Sequence, residues 1–155
     1  MIQVKVKKMF DDVQLPEYAT PGSACFDIRA HITPDTGYSF NALVFEGHAV
    51  LSTGLQFEIP KNHVMLVFSR SGQGFKNDIR LANCTGIIDA DYRGELKVKL
   101  TKDFDSKGGR HVEMIRHGDR IAQGMVVPYE QVQFVLADDL SSTERGEGGF
   151  GSTGA

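Results

Sequence analysis

The sequence predicts an all-β domain, arranged as a sandwich or a barrel. Apolar and polar residues alternate with a period of two in several short runs, and clusters rich in proline, glycine, asparagine and aspartate separate these runs. No window of a dozen residues shows the 3.6-residue period of a helix. A chain of 155 residues can bury one core, so we expect a single domain.

The alternation predicts three half-buried strands, over residues 2–6, 55–59 and 95–100. Two further runs, VMLVF at 64–68 and MVV at 125–127, are continuously apolar. Such runs are typical of inner strands that lie between two layers. The polar, glycine-bearing stretch DFDSKGGR at 103–110 predicts a hairpin loop.

Composition excludes several classes of protein. The net charge of -3 argues against general nucleic-acid binding, which normally requires a basic surface. No apolar run approaches the roughly 20 residues of a membrane span, so we expect a soluble protein. Cys25 and Cys84 follow no C-x-x-C spacing, and no signal-peptide pattern is present. We therefore expect an intracellular protein with reduced thiols, although two cysteines are able to pair.

The histidines show no pattern typical of a metal site. The chain has five of them, and neither H-E-x-x-H nor a Cys/His ligand spacing occurs. They are expected to be ordinary surface or core residues. The sequence thus predicts no metal ion held tightly by protein ligands alone.

The densest group of candidate residues lies in NCTGIIDADYRGELKV. Asp89, Asp91 and Gly94 match three positions of a calcium loop, but Arg93 and Leu100 stand where ligands are required, which excludes calcium. One interpretation is that the aspartates bond their own backbone in a turn between two strands. The other is that they carry chemistry, and both interpretations remain open on residue pattern alone.

Three other stretches contain polar residues next to predicted strands. FSRSGQG places Arg70, Ser71 and Gly72 where guanidinium, hydroxyl and backbone donors can bind phosphate, although an ordinary turn is the better explanation of this stretch by itself. HGDRIAQG places a Gly-Asp turn, or a hairpin, before an apolar strand that carries the uncharged Gln123. PGSACFDIRA sets Asp27 between two apolar residues, as an outward-facing strand residue would be.

The carboxyl-terminal stretch RGEGGFGSTGA invites comparison with nucleotide-binding loops. Gly146, Gly148 and Gly151 satisfy G-x-G-x-x-G, but too little chain follows for the helix that this fingerprint requires. A P-loop is also excluded, because the stretch has no lysine. From about Ala137 the composition changes to Asp, Ser, Glu and Gly. This change predicts a core domain over 1–136 and a flexible glycine-rich arm over 137–155.

Taken in this order, SRSG, NCTGIIDADYRGE, GDRIAQ and RGEGGFGSTG resemble motifs two to five of the trimeric dUTP diphosphatase (dUTPase) family, and PGSACFDIRA is similar to its first motif. The resemblance covers the chain nearly from end to end. It implies a β jelly roll and a homotrimer with active sites at subunit interfaces. The implied reaction is hydrolysis of dUTP to dUMP and pyrophosphate with Mg²⁺, by attack of water on the α-phosphorus.

The resemblance also implies residue roles. Asp89 looks like the residue that orients and activates the attacking water. Asp27 looks like the acid of the first motif, which lies near the water shell of the metal ion. The resemblance implies that this ion is held mainly by the triphosphate. The hairpin around Asp89 resembles the uracil pocket. The uracil and deoxyribose positions are Asn83, Gly86, Ile87, Ile88, Tyr92, the main chain at Lys97, and Phe150 of the arm. The phosphate positions are Arg70, Ser71, Gly72, Gln123, Arg145, Ser152 and Thr153.

The chain departs from the family pattern at four positions. Ser69 replaces a proline, Cys25 and Phe26 replace Gly-Tyr, and Gly124 replaces a larger apolar residue. Two rival functions remain to be tested against the diphosphatase. One is a dCTP deaminase of the same fold, and the other is a nucleotide-binding module that regulates a partner without hydrolysis.

Overall fold

The structure is a computed structural model that describes residues 2–33, 42–103 and 113–149. Short strands dominate these residues, with a single short helix, α1 (Ser71–Asn77), so the all-β prediction is confirmed. The strands are β1 (Lys5–Lys8), β2 (Glu17–Tyr18), β3 (Phe26–Arg29), β4 (Ala42–Phe45), β5 (His48–Glu58), β6 (His63–Phe68), β7 (Ile79–Leu81), β8 (Thr85–Ile88), β9 (Glu95–Lys102), β10 (Glu113–Arg116) and β11 (Arg120–Pro128). Within the described ranges, no helix has the length and apolarity that crossing a bilayer requires.

The strands form two main antiparallel sheets and a small ribbon. One sheet has the order β1-β5-β9-β7, the other β2-β3-β11-β6-β8, and β4 pairs with β10. The buried side chains of both sheets belong to one apolar cluster, with Leu51, Leu55 and Leu100 on the first sheet and Ile28 and Met65 on the second. Two sheets that share one core make a sandwich, and the arrangement is jelly-roll-like.

The three strands predicted from alternation are confirmed with shifted ends. The first begins at Lys5 rather than Ile2, which is 49% exposed, while the other two form the end of β5 and most of β9. The apolar runs are the adjacent strands β6 and β11 at the interior of the five-stranded sheet. Only one face of these strands is buried, because Leu66 and Met125 on the other face are half-exposed in a single chain.

Two connections differ from the sequence interpretation. The stretch 103–110 was expected to form a hairpin loop, yet β9 and β10 pair in different sheets, so no hairpin joins them in the described part of the chain. Residues 104–112 lie outside that part. The Gly-Asp turn before β11 is present, with Gly118 at a φ of 80°, but it also joins strands of different sheets.

The helix α1 is absent from the sequence prediction. It is only seven residues long, contains two glycines and buries none of its side chains, so it shows no apolar period to detect. Asp78 ends it in the left-handed conformation with a φ of 56°. Just before α1, the hydroxyl of Ser69 accepts a hydrogen bond from the Leu81 backbone N–H at 2.9 Å. The residue that replaces the family's proline therefore ties the end of β6 to β7.

Phe26 and Gly124, two other departures from the family pattern, pack against each other. Phe26 on β3 and Gly124 on β11 are directly opposite in the register. A Cβ at Gly124 would lie 2.6 Å from Cε2 and 2.8 Å from Cζ of Phe26. The ring of Phe26 thus occupies the space that a larger residue at 124 would need.

We expect Gly124→Ala to destabilise the fold by about 1–3 kcal/mol, because overpacking forces side chains or backbone to move. The loss of stability caused by Gly124→Ala should be smaller when Phe26→Leu is also present. The difference between the two losses is the coupling energy of a double-mutant cycle. Urea unfolding at fixed protein concentration measures both. Gly22→Ala is the control, since its Cβ meets nothing within 4 Å. Equal costs of Gly124→Ala in both backgrounds would contradict this packing contact.

Candidate active site

A cleft lies between β8 and β9. It consists of two adjoining cavities of about 450 Å³ and 440 Å³, which share Ile87, Ile88, Leu96 and Lys97. The described residues that were assigned from sequence to uracil, deoxyribose and water activation all line it. They are Asn83, Gly86, Ile87, Ile88, Asp89, Tyr92 and Lys97.

The cleft exists because β8 and β9 diverge. The sequence interpretation described this segment as a hairpin, but β8 pairs with β6 at the edge of the five-stranded sheet, whereas β9 pairs with β5 and β7 in the other sheet. The pairing of β7 covers only Leu100 to Lys102 of β9. The stretch of β9 around Lys97 therefore faces β8 with no β7 partner. Main-chain donors and acceptors on an edge strand are available to a ligand.

The turn after β8 leaves the Asp89 carboxylate uncommitted. The turn is closed by the Tyr92 N–H, which donates to the Asp89 carbonyl oxygen at 3.2 Å, and by the Arg93 guanidinium, which donates to the Ala90 carbonyl oxygen at 2.7 Å. Among the described residues, no hydrogen bond or ion pair engages the Asp89 carboxylate, and Asp89 is exposed. The structure therefore does not support the interpretation of Asp89 as a turn residue that bonds its own backbone.

The aromatic ring of Tyr92 is positioned by its neighbours. Its hydroxyl donates to the Glu95 carbonyl oxygen at 3.0 Å. A Cβ at Gly94 would lie 2.4 Å from that hydroxyl oxygen and 2.5 Å from Cζ, so the ring lies directly over Gly94. Glu95 is fixed in turn, because its Oε1 accepts the Gly54 N–H at 2.9 Å. Tyr92 thus forms a rigid wall of the cleft.

A separate cavity of about 400 Å³ contains the predicted phosphate residues of the core. Arg70, Ser71, Gly72, Gln123 and Asp27 line it together. They meet because Gln123 on β11 lies opposite both Asp27 on β3 and Phe68 at the end of β6. Cys25 also lines this cavity, and both cysteines of the chain are free.

Asp27 joins two arginines in this cavity. Its Oδ1 lies 3.2 Å from Nε of Arg70, and its Oδ2 lies 3.2 Å from Nη1 of Arg120. The Asp27 side chain is 16% exposed. Arg120 was missed in the sequence interpretation, although it belongs to the GDRIAQ motif that supplied Gln123. Two guanidinium groups oriented by one carboxylate make a positive surface suited to a phosphate chain.

The cavity offers no all-protein metal cage. Among the described residues that line the cavity, Asp27 is the only acidic one, and both of its oxygens contact arginines. Mg²⁺ prefers oxygen ligands, keeps several waters and is commonly held by substrate phosphates. The donor set therefore fits a magnesium ion that enters with a triphosphate and contacts the protein through water.

The arm is described only in part. Residues 128–147 are exposed, and β11, the last described strand, ends at Pro128. Nε of Arg145 donates to the Gly148 carbonyl oxygen at 2.7 Å, within a turn in which Gly146 has a φ of 51°. Arg145 lines neither the cleft nor the phosphate cavity. The predicted contacts of Phe150, Ser152 and Thr153 lie outside the described residues.

Within one chain, the cleft and the phosphate cavity lie at opposite ends of β6. Met65, near the start of β6, pairs with Ile88 in the antiparallel register. Asp89 is the next residue after Ile88, so it lies beside the start of β6. Arg70 follows the other end of the same strand. Six residues of extended chain separate these ends by roughly 20 Å. Asp89 and Arg70 of one chain are therefore too far apart to act on the same phosphate group.

Comparisons with known proteins agree with this geometry. The dUTPase family model matches residues 11–154. A deoxyuridine 5'-triphosphate nucleotidohydrolase of Dinoroseobacter shibae is 40% identical over 99% of this chain and 97% of its own length, and one of Stutzerimonas stutzeri is 43% identical over 93% and 89%. A mutant dUTPase of Staphylococcus bacteriophage 80alpha with dUpNHpp is 27% identical, has a TM-score of 0.82, and the match covers 100% of both chains. The chain belongs to the dUTPase family.

Proposed function

We propose that the protein hydrolyses dUTP to dUMP and pyrophosphate, with a water molecule activated by Asp89 attacking the α-phosphorus. The observation that carries this proposal is the uncommitted Asp89 carboxylate at a cleft lined by every described residue assigned to the nucleoside. Relatives at about 40% identity are named for this reaction, and the phage enzyme was solved with dUpNHpp. The enzyme is thus a hydrolase acting on an acid anhydride.

Uracil would be recognised by the main chains of β8 and β9. An edge strand and an uncovered stretch of β9 offer fixed donors and acceptors, and a site built to hydrogen-bond its substrate discriminates by roughly 10⁴ to 10⁵ against analogues that leave those groups unpaired. The side chains of Ile87 and Ile88 and the ring of Tyr92 limit the space of the cleft. Shape would then exclude the thymine methyl and the ribose 2′-hydroxyl.

A homotrimer with shared sites accounts for the separation of the two cavities. Asp89 and Arg70 of one chain are too far apart to act on the same phosphate group, so in the proposed trimer the cleft of one chain would combine with the phosphate cavity of another. The exposed segment after β11 supports association, since Val132, Phe134 and Leu136 are 70%, 93% and 98% exposed. Val135 is 78% exposed as well, so this apolar segment is uncovered within one chain and available to another. The arm over 137–155 would then close over a neighbouring site.

Magnesium would be held mainly by the triphosphate. Bound to the substrate, it neutralises phosphate charge and orients the leaving group. The chain's own contribution is the arginine pair at Asp27, together with Ser71, Gly72 and Gln123, which bind and orient the phosphates. In the cell, the reaction would lower dUTP and supply dUMP for thymidylate synthesis, and an intracellular location is expected for that role.

The test is pyrophosphate release with Mg²⁺ from dUTP, dTTP, dCTP and UTP offered separately to the purified protein. We expect release from dUTP alone. Ammonia release from dCTP would instead support a deaminase. Nucleotide binding without any hydrolysis would support the regulatory module, and sedimentation of an active monomer would contradict the shared site.

A further inference from the structure

A second cluster of potential ligands lies away from both cavities of the active site. Asp12, His31 and His117 each place one ligand atom within 4.8 Å of the others. Asp12 comes from the β1–β2 connection, His31 follows β3, and His117 lies in the turn before β11. Because these segments are far apart in sequence, the rules of ligand spacing that were applied to the histidines miss this cluster.

The distances within the cluster suit a metal ion of the zinc class. Nε2 of His31 lies 3.0 Å from Oδ1 of Asp12, and Nε2 of His117 lies 3.8 Å from Oδ2 of Asp12. Ligand atoms at about 2.0–2.2 Å from a tetrahedral zinc ion are about 3.3–3.5 Å from each other. The two observed distances lie on either side of that value. Small side-chain movements are enough to reach it.

The two imidazoles are held in place by contacts that leave their Nε2 atoms directed at Asp12. Nδ1 of His117 lies 3.1 Å from the Ile32 carbonyl oxygen. The Ile32 backbone N–H also lies 3.3 Å from this Nδ1, so either tautomer of His117 has a partner at Ile32. In the tautomer with the proton on Nδ1, Nε2 presents a lone pair, which is the ligating form of histidine. The ring of His31 is 4% exposed and stacks on Phe10 at a centroid distance of 4.4 Å.

The space between His117 and Asp12 is wide enough for a bridging ion. At 3.8 Å, the separation of Nε2 and Oδ2 is too long for a hydrogen bond. In the tautomer with the proton on Nδ1, a cation at this position would contact both the Nε2 lone pair and the carboxylate oxygen. The Asp12 side chain is 60% exposed, so a fourth ligand position is open to solvent. Nε2 of His31 donates to the Asp12 carboxylate, so a metal ion that binds this nitrogen would replace its proton.

We propose that Asp12, His31 and His117 bind one Zn²⁺ or similar transition-metal ion, with water as the fourth ligand. Two imidazole nitrogens and one carboxylate oxygen form a donor set typical of zinc rather than of magnesium. The ion would clamp the β1–β2 connection onto the ends of β3 and β10. This structural site is independent of the magnesium that accompanies the substrate.

The test is calorimetric titration of the chelator-treated, full-length protein with Zn²⁺ at neutral pH and saturating Mg²⁺. We expect one Zn²⁺ per chain and an increase in Tm on zinc addition, because a ligand that binds only the folded state stabilises it. His117→Gln and Asp12→Asn should each weaken zinc binding by about tenfold or more. His48→Gln, a substitution of an exposed histidine outside the cluster, should leave it unchanged.

Visible absorption of the Co²⁺-loaded protein provides a second measurement on the wild type, independent of how well the variants fold. A tetrahedral Co²⁺ spectrum that zinc displaces supports the site. Absence of zinc binding to the wild type would overturn the proposal and leave the cluster as a hydrogen-bonded group. Equal zinc binding by wild type, His117→Gln and Asp12→Asn would also overturn it.

Discussion

Asp89→Asn is expected to lower kcat for dUTP hydrolysis by about 10² to 10⁴, the contribution of a positioned general base. The amide has nearly the same shape as the carboxylate but cannot accept a proton from water. Because no described hydrogen bond or ion pair uses the Asp89 carboxylate, the fold should not change. The measurement is steady-state pyrophosphate release, with Tm as a check on folding.

Asp91→Asn is the matched control for this prediction. Asp91 is exposed in the same turn and does not line the cleft, so its substitution removes the same charge two residues away. We expect activity close to wild type. If the two substitutions reduced kcat equally, the loss would reflect the charge of the turn rather than proton transfer, and the assigned role of Asp89 would be wrong.

Truncation after Leu140 is expected to leave a folded trimer and to reduce kcat/KM by about 10² to 10³. The truncation removes the aromatic ring of Phe150 and the guanidinium of Arg145. Stacking on a base contributes about 1–3 kcal/mol, and hydrogen bonds to charged groups contribute about 1.5–3 kcal/mol. The fold should persist, because residues 128–147 are exposed and belong to no strand beyond Pro128. Sedimentation and dUTP hydrolysis test the two parts separately.

Deletion of Ala155 alone is the control, since it removes a residue to which no role is assigned. It should retain wild-type activity. Full activity in the chain truncated after Leu140 would contradict the function of the arm. A monomer without activity would show that residues beyond Leu140 contribute to assembly as well as to the site.

Much of the active site is predictable from sequence because its motifs are local. The residues of NCTGIIDADYRGELKV are contiguous, and those that line the cleft do so because one turn and its two strands carry them. Arg70 was likewise identified from a contiguous motif, SRSG. Arg120 was missed, although it lies in GDRIAQ, because its position beside Asp27 depends on the pairing of β3 with β11.

The sequence by itself determined the all-β class, the position of the main strands and the family. Period-two alternation and turn-forming residues act over a few positions, so they can be read without knowing what packs on them. Only the tertiary structure decided that β8 and β9 diverge into a cleft, that Phe26 fills the space over Gly124, and that Asp12, His31 and His117 meet. These contacts join segments distant in sequence, and their geometry follows from strand register, which short-range patterns do not encode.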